Sequence, residues 1–96
     1  MDELANIKKV LMLLEPELTT KYHVSSTGLF GSAIRVDFKA ESDIDIIVDF
    51  NEKIGIEFID LAEYIERTLK KKVDMVSRRG IKDKYFKAIE SEIVYV

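Results

Sequence analysis

The segment Asp43-Ile-Asp-Ile-Ile-Val-Asp49 constrains the fold more than any other part of the chain. Its β-branched content predicts a strand. The two-residue side-chain period puts Ile44, Ile46 and Val48 on one face and Asp43, Asp45, Ile47 and Asp49 on the other. One face must therefore pack against other elements, while the opposite face collects carboxylates. At strand rise the Cα atoms of Asp43 and Asp45 stand roughly 6.5 to 7 Å apart, where two carboxylates repel by roughly 2 kcal/mol at an effective dielectric near 20. A fold does not need that cost. A hard divalent cation, which takes oxygen ligands, does need such a pair.

The flanking segments supply the rest of the architecture. Leu4, Ile7, Leu11 and Leu14, with Val10 and Leu13 beside them, predict an amphipathic helix over about residues 3–15 that continues past Pro16 only with a break. Lys21 to Phe30 reads as a strand that closes on the glycine turn Gly28-Leu29-Phe30-Gly31. Ser32-Ala33-Ile34-Arg35 then reads as the first turn of a short helix. Phe58, Leu61, Ile65 and Leu69 mark a second long helix, ended by Lys70-Lys71-Lys72, where cations favour the helix dipole. Val73 to Val76 is a short strand, a last helix starts near Lys82, and Ile93-Val-Tyr-Val96 is an apolar segment that packs against something. The order α, β, short α, β, α, β, α predicts an α/β (α+β) fold, a small mixed β-sheet with helices packed on it, in one domain over residues 1–96. Phe30, Phe50, Phe58, Tyr85 and Phe86 are expected in its core.

Composition narrows the chemistry. A chain of 96 residues buries about 65% of its unfolded surface, enough for a real core. The absence of cysteine excludes disulfides, a thiol nucleophile and thiolate metal sites, and the single histidine, His23, leaves no histidine-rich zinc site. Any metal must be held by carboxylates. The net charge of −3 conceals an asymmetry: residues 1–66 carry 6 Lys/Arg against 14 Asp/Glu, and residues 67–96 carry 9 against 4. Such a division suits a site that holds cations and polyanions together, although solvated helix faces would give the same counts. The acidic balance of the first part argues against a nucleic-acid groove. No apolar run approaches the ~18 residues of a membrane span, and Met1-Asp2-Glu3 opens no signal peptide, so a cytoplasmic location is expected.

Around the acidic strand the sequence assembles a candidate site. Gly31 lets the backbone approach an anion, Ser32 adds a hydroxyl donor at the start of the short helix, and Arg35 can fork two phosphate oxygens. Ser42 enters the strand just before Asp43 and Asp45, and Asp74 lies on the later short strand. Each piece has a plainer reading alone: a turn and N-cap for Gly31-Ser32, a turn cap for Ser42, a surface ion pair with Asp37 or Glu41 for Arg35, a solvated edge for the aspartates. Their conjunction points to a metal and phosphate site.

At these residues the chain resembles the minimal nucleotidyltransferase (MNT) family of the DNA polymerase β-like nucleotidyltransferase superfamily. The shared pattern is Gly-Ser, an Arg shortly after, a Ser-Asp-x-Asp strand, and a third acidic residue in a later short strand, here within Val73-Asp74-Met75-Val76. Val36 stands where a small glycine is common, and Ala33 where a basic residue is frequent. The resemblance implies a nucleotidyltransferase fold and a two-ion Mg²⁺ site formed by Asp43, Asp45 and Asp74, with ATP as substrate. Gly31, Ser32, Arg35 and Ser42 would then contact the nucleotide. It further implies the MNT antitoxin of a HEPN/MNT module, type VII-like, which transfers AMP to a tyrosine of a HEPN-type partner. Two rival readings remain open: a non-catalytic antitoxin that neutralises its partner by binding, and nucleotidyl transfer to RNA or a small-molecule alcohol. A chain of this length leaves no room for a separate acceptor-binding domain, so a homo-oligomer or hetero-complex is expected.

Other polar residues are given structural roles. His23 reads as a partly exposed structural residue, and Lys70 to Lys72 as a solvated helix end. Arg78, Arg79 and Lys82 divide evenly between reaching a triphosphate or acidic partner and lining a surface loop. Tyr64 and Tyr95 stand as candidates for modification or an interface.

Overall fold

The computed structural model describes residues 3–34 and 43–96, without the side chains of Ser32 and Ala33. Helix α1 spans Glu3–Tyr22 and is followed by strand β1, Val24–Phe30, and a single 3-10 turn at Gly31–Ile34. Strand β2 is Ile44–Phe50, helix α2 Glu57–Leu69, strand β3 Val73–Ser77 and helix α3 Asp83–Ile89. A second 3-10 turn, Glu90–Glu92, leads to strand β4, Val94–Tyr95. Among the described residues these make three helices and a mixed four-stranded sheet in the order β3-β2-β1-β4. β1 runs antiparallel to β2 and β4, while β2 and β3 are parallel. Parallel neighbours need a crossover, and α2 provides it.

The alternation read from the sequence sets the faces. Ile44, Ile46 and Val48 are buried to 0%, 0% and 1% exposure, and they share the core with Ile7, Leu11 and Leu18 of α1 and with Leu61 and Ile65 of α2. Fully burying each such side chain contributes about 1.5–3 kcal/mol, which holds the sheet against the two long helices. α1 and α2 lie antiparallel on that face. Lys71, just past the end of α2, pairs with Glu3 at 3.0 Å, Tyr64 donates a hydrogen bond to Glu17, and Tyr22 stacks on Tyr64 with centroids 5.9 Å apart. No helix among the described residues is long and apolar enough to cross a membrane.

Several boundaries differ from the sequence expectation. α1 continues through Pro16 to Tyr22, which delays β1 from Lys21 to Val24. Proline cannot donate to the carbonyl of Met12, but both residues are exposed, so water can satisfy that carbonyl. The core contacts of Leu18 and Tyr22 outweigh the local cost. His23 turns the chain with a left-handed φ of 59°. Lys71 is not solvated: its side chain is 16% exposed, against Glu3. Tyr85 is 59% exposed rather than core, while Phe50 is buried and Phe30, Phe58 and Phe86 are half-buried. The apolar end of the chain does find its partner, as β4 on the edge of β1, with the Val96 N–H donating to the Thr27 carbonyl at 2.9 Å. Gly28 permits the close approach there, since a Cβ on it would lie 2.5 Å from Ile93 Cγ2.

Candidate functional site

The topology brings Gly31, Asp43, Asp45 and Asp74 to one end of the sheet. Because β1 and β2 are antiparallel, the last residue of β1, Phe30, faces Asp45 near the start of β2. The Gly31–Ile34 turn therefore begins beside the Ser-Asp-x-Asp strand. Because β3 runs parallel to β2, it starts at that same end, and Asp74 falls directly opposite Asp45. Neighbouring strands are about 4.8 Å apart and residues in register project to the same side, so the carboxylates of Asp45 and Asp74 share the sheet face turned away from α1 and α2.

Gly31 is fitted to this arrangement. Its φ is +62°, and a Cβ built on it would lie 2.2 Å from Asp45 Oδ2 and 3.2 Å from Asp45 Cγ. Only a residue without a side chain places the turn against the carboxylate. Asp43, exposed, immediately precedes β2, where the Ile44 N–H donates to the Lys72 carbonyl at 2.9 Å and ties the starts of β2 and β3 together. Asp45 is half-buried and Asp74 exposed, and Asp74 has no ion pair among the described residues. Arg35 and Ser42 lie outside the described residues, and the side chain of Ser32 does as well.

The donor set fits a hard cation. Two like charges in register on adjacent strands disfavour the fold unless a positive group stands between them, and one or two carboxylates with phosphate oxygens are the usual protein complement of Mg²⁺. Among the described residues, no group of three His, Cys, Asp or Glu side chains is already gathered as a metal cage. The described part of the site is thus a pair of facing carboxylates, with Asp43 at the entry of the strand.

The second acidic position of β2, Asp49, belongs elsewhere. Asp49 accepts from the Phe50 N–H at 2.9 Å and stands 3.7 Å from Arg79 Nε, so a cation already offsets its charge. Arg78 lies 3.7 Å over the Phe86 ring and 3.4 Å from Asp83, which commits it to the α3 side of the molecule. His23 is 40% exposed with Nε2 3.4 Å from Glu52, in keeping with a structural role. A groove of about 960 Å³, missed by the sequence reading, opens at the far end of β2 and β3, lined by Phe50, Ile54, Phe58, Val76, Ile81 and Tyr85 among others. None of the three aspartates lines it. Its lining comes from strand ends and from single apolar residues, Ile54 and Ile81, in mostly polar loops, so no local periodicity marks it.

Comparison with known proteins identifies a family. The family model described as polymerase beta, nucleotidyltransferase, matches residues 13–95. A candidate protein adenylyltransferase of Methanocaldococcus jannaschii is 40% identical over the whole of both chains. The protein adenylyltransferase MntA of Thermococcus cleftensis is 38% identical over 97% of this chain and 95% of its own. The solved complex of the tri-AMPylated Shewanella oneidensis HEPN toxin with MNT antitoxin superposes with a TM-score of 0.67 at 22% identity, covering 97% of this chain and 70% of that one. At that identity it speaks for the fold.

Proposed function

This chain belongs to the polymerase beta nucleotidyltransferase family and is a nucleotidyltransferase, and from that premise we propose that it moves AMP from ATP to a tyrosine hydroxyl of a HEPN-type partner protein, acting as the antitoxin of the pair in the cytoplasm. The observation that carries the proposal is the meeting of Asp45, Asp74 and the Gly31 turn at one end of the sheet. Relatives named as protein adenylyltransferases and the likeness to an MNT antitoxin solved with an AMPylated HEPN toxin support the choice of acceptor.

Asp43, Asp45 and Asp74 would hold two Mg²⁺ ions, which when bound supply Lewis-acid charge at the α-phosphate and lower the pKa of the acceptor hydroxyl. The chain's own groups do the positioning. The Gly31 backbone, Ser32 and Arg35 hold the β- and γ-phosphates, with Arg35 offsetting charge on the departing pyrophosphate, and Ser42 contacts the nucleotide. The acceptor oxygen attacks the α-phosphorus in line, the bond to the bridging oxygen breaks, and pyrophosphate leaves. Asp74, exposed at the strand start, takes the phenolic proton. The products are an O-adenylylated tyrosine, pyrophosphate and one proton.

A binding-only antitoxin is the second reading, supported by the likeness to an MNT antitoxin solved in complex with its HEPN toxin. Co-expression with the HEPN-type protein, followed by intact-mass measurement of that protein, separates the two. AMP-sized additions that disappear with Asp45→Asn are expected. An unmodified partner, neutralised equally by wild type and Asp45→Asn, would overturn transfer as the mechanism.

A further inference from the structure

Both long helices carry apolar residues on the side turned away from the sheet. On α1 the core side is formed by Ile7, Leu11, Leu18 and Tyr22, yet Met12 and Leu13 are 57% and 73% exposed and share a surface hollow with Ala5, Lys8 and Lys9. On α2 the core side is formed by Leu61 and Ile65, yet Ile59 is 57% exposed and Ile56, just before the helix, 73%. Helical spacing puts Ile56, Ile59, Asp60 and Glu63 on one stripe. Solvent-exposed apolar side chains gathered with charges at their rim mark association surfaces.

The two patches complement each other in charge. Lys8 and Lys9 border the first, Asp60 and Glu63 the second, and none of these four is in an ion pair among the described residues. Beside the second patch, the carboxylates of Glu57, Asp60 and Glu63 outnumber the cations Lys21 and Arg67 in the hollow they line together. We propose that a second copy of this chain docks here, the Lys8–Leu13 face of one copy on the Ile56–Glu63 face of the other. α1 and α2 lie side by side and antiparallel, so both patches look out from the same helical layer. A two-fold axis through that layer forms both contacts at once and closes the assembly as a dimer. Opposite charges at the rim set register and speed encounter, while the apolar centres supply the association energy. The dimer buries the helix layer and leaves the acidic face of the sheet open, so it stands independently of nucleotide transfer.

Sedimentation velocity on the purified chain tests this. A species of twice 11.1 kDa is expected within the micromolar range. Leu13→Glu, the pair Lys8→Glu/Lys9→Glu and the pair Asp60→Lys/Glu63→Lys should each weaken association at least about tenfold. Combining the two charge-reversed pairs leaves the net charge unchanged and should restore the dimer. Circular dichroism reports the fold of each variant, and should Leu13→Glu fail to fold, the charge-reversed chains still decide. A wild-type chain that stays monomeric throughout the micromolar range overturns the proposal, as does a folded four-site variant that fails to recover. A surface that engages only a co-expressed protein, with no dimer of the chain alone, overturns it equally.

Discussion

Gly31 and Asp45 are packed so closely that the space a Cβ on Gly31 would occupy lies 2.2 Å from Asp45 Oδ2. The Gly31–Ile34 turn and the acidic strand are therefore one unit, and a change in either displaces the other.

Gly31→Ala should be costly on two counts. The left-handed φ of +62° costs an L-residue about 1–2 kcal/mol, and the added methyl pushes the Asp45 carboxylate from its place. A loss of about 1–2 kcal/mol in urea unfolding is expected, together with loss of nucleotidyl transfer. Gly55→Ala is the control. Its Cβ meets nothing nearer than Glu57 Oε2 at 3.6 Å, and stability should change by less than about 1 kcal/mol.

Asp45→Asn and Asp74→Asn each remove one of two charges that face each other across β2 and β3. Without metal, Asp74→Asn should melt at or slightly above the wild-type temperature, because repulsion is relieved. With Mg²⁺ and ATP the order should reverse: ligand at about 100 times its Kd adds about 2.7 kcal/mol to wild type, several degrees in a chain of this size, and little to the variants. Differential scanning fluorimetry with and without Mg²⁺ and ATP measures both effects. An equal response from wild type and Asp45→Asn would remove Asp45 from the metal site.

Pro16 interrupts the hydrogen-bond ladder of α1 at an exposed position. Pro16→Ala restores a donor to the Met12 carbonyl without touching the core, and should raise stability by about 1–2 kcal/mol after the greater freedom of the unfolded chain is counted. Thermal melts of the two chains give the answer directly. A lower midpoint for Pro16→Ala would mean that the proline ring packs in a way its exposure does not suggest.

Tyr64 links α2 to α1 through its hydrogen bond to Glu17. That bond, then burial and the nearby charge of Glu17, hold the phenol above its ordinary value of 10.0. A group whose folded pKa is raised contributes stability that is fully present below the unfolded value and is lost as pH rises through the folded one. The advantage of wild type over Tyr64→Phe should therefore be constant near neutrality and decline only above the ordinary phenol value. Urea unfolding of both chains at a series of alkaline pH values tests the sign. An advantage that grows with pH would contradict the hydrogen bond as its source.

What the amino-acid sequence determined by itself was local. The two-residue alternation of Asp43 to Asp49 assigned β2 and its faces, the spacing of Phe58, Leu61, Ile65 and Leu69 assigned α2, and Gly31-Ser32 with Ser42-Asp43-x-Asp45 named the candidate site, because each signal lies within a few residues of chain. Tertiary structure decided what those signals could not carry. The order β3-β2-β1-β4 and the parallel pairing of β2 with β3 set Asp74 opposite Asp45, a meeting of residues almost thirty positions apart that depends on how α2 crosses the sheet. Packing carried α1 through Pro16, since the core contacts of Leu18 and Tyr22 outweigh one lost hydrogen bond. Packing likewise left Tyr85 outside the core and drew Lys71 against Glu3. Periodicity states which side of an element is apolar, but only the assembled sheet and helices decide what covers it.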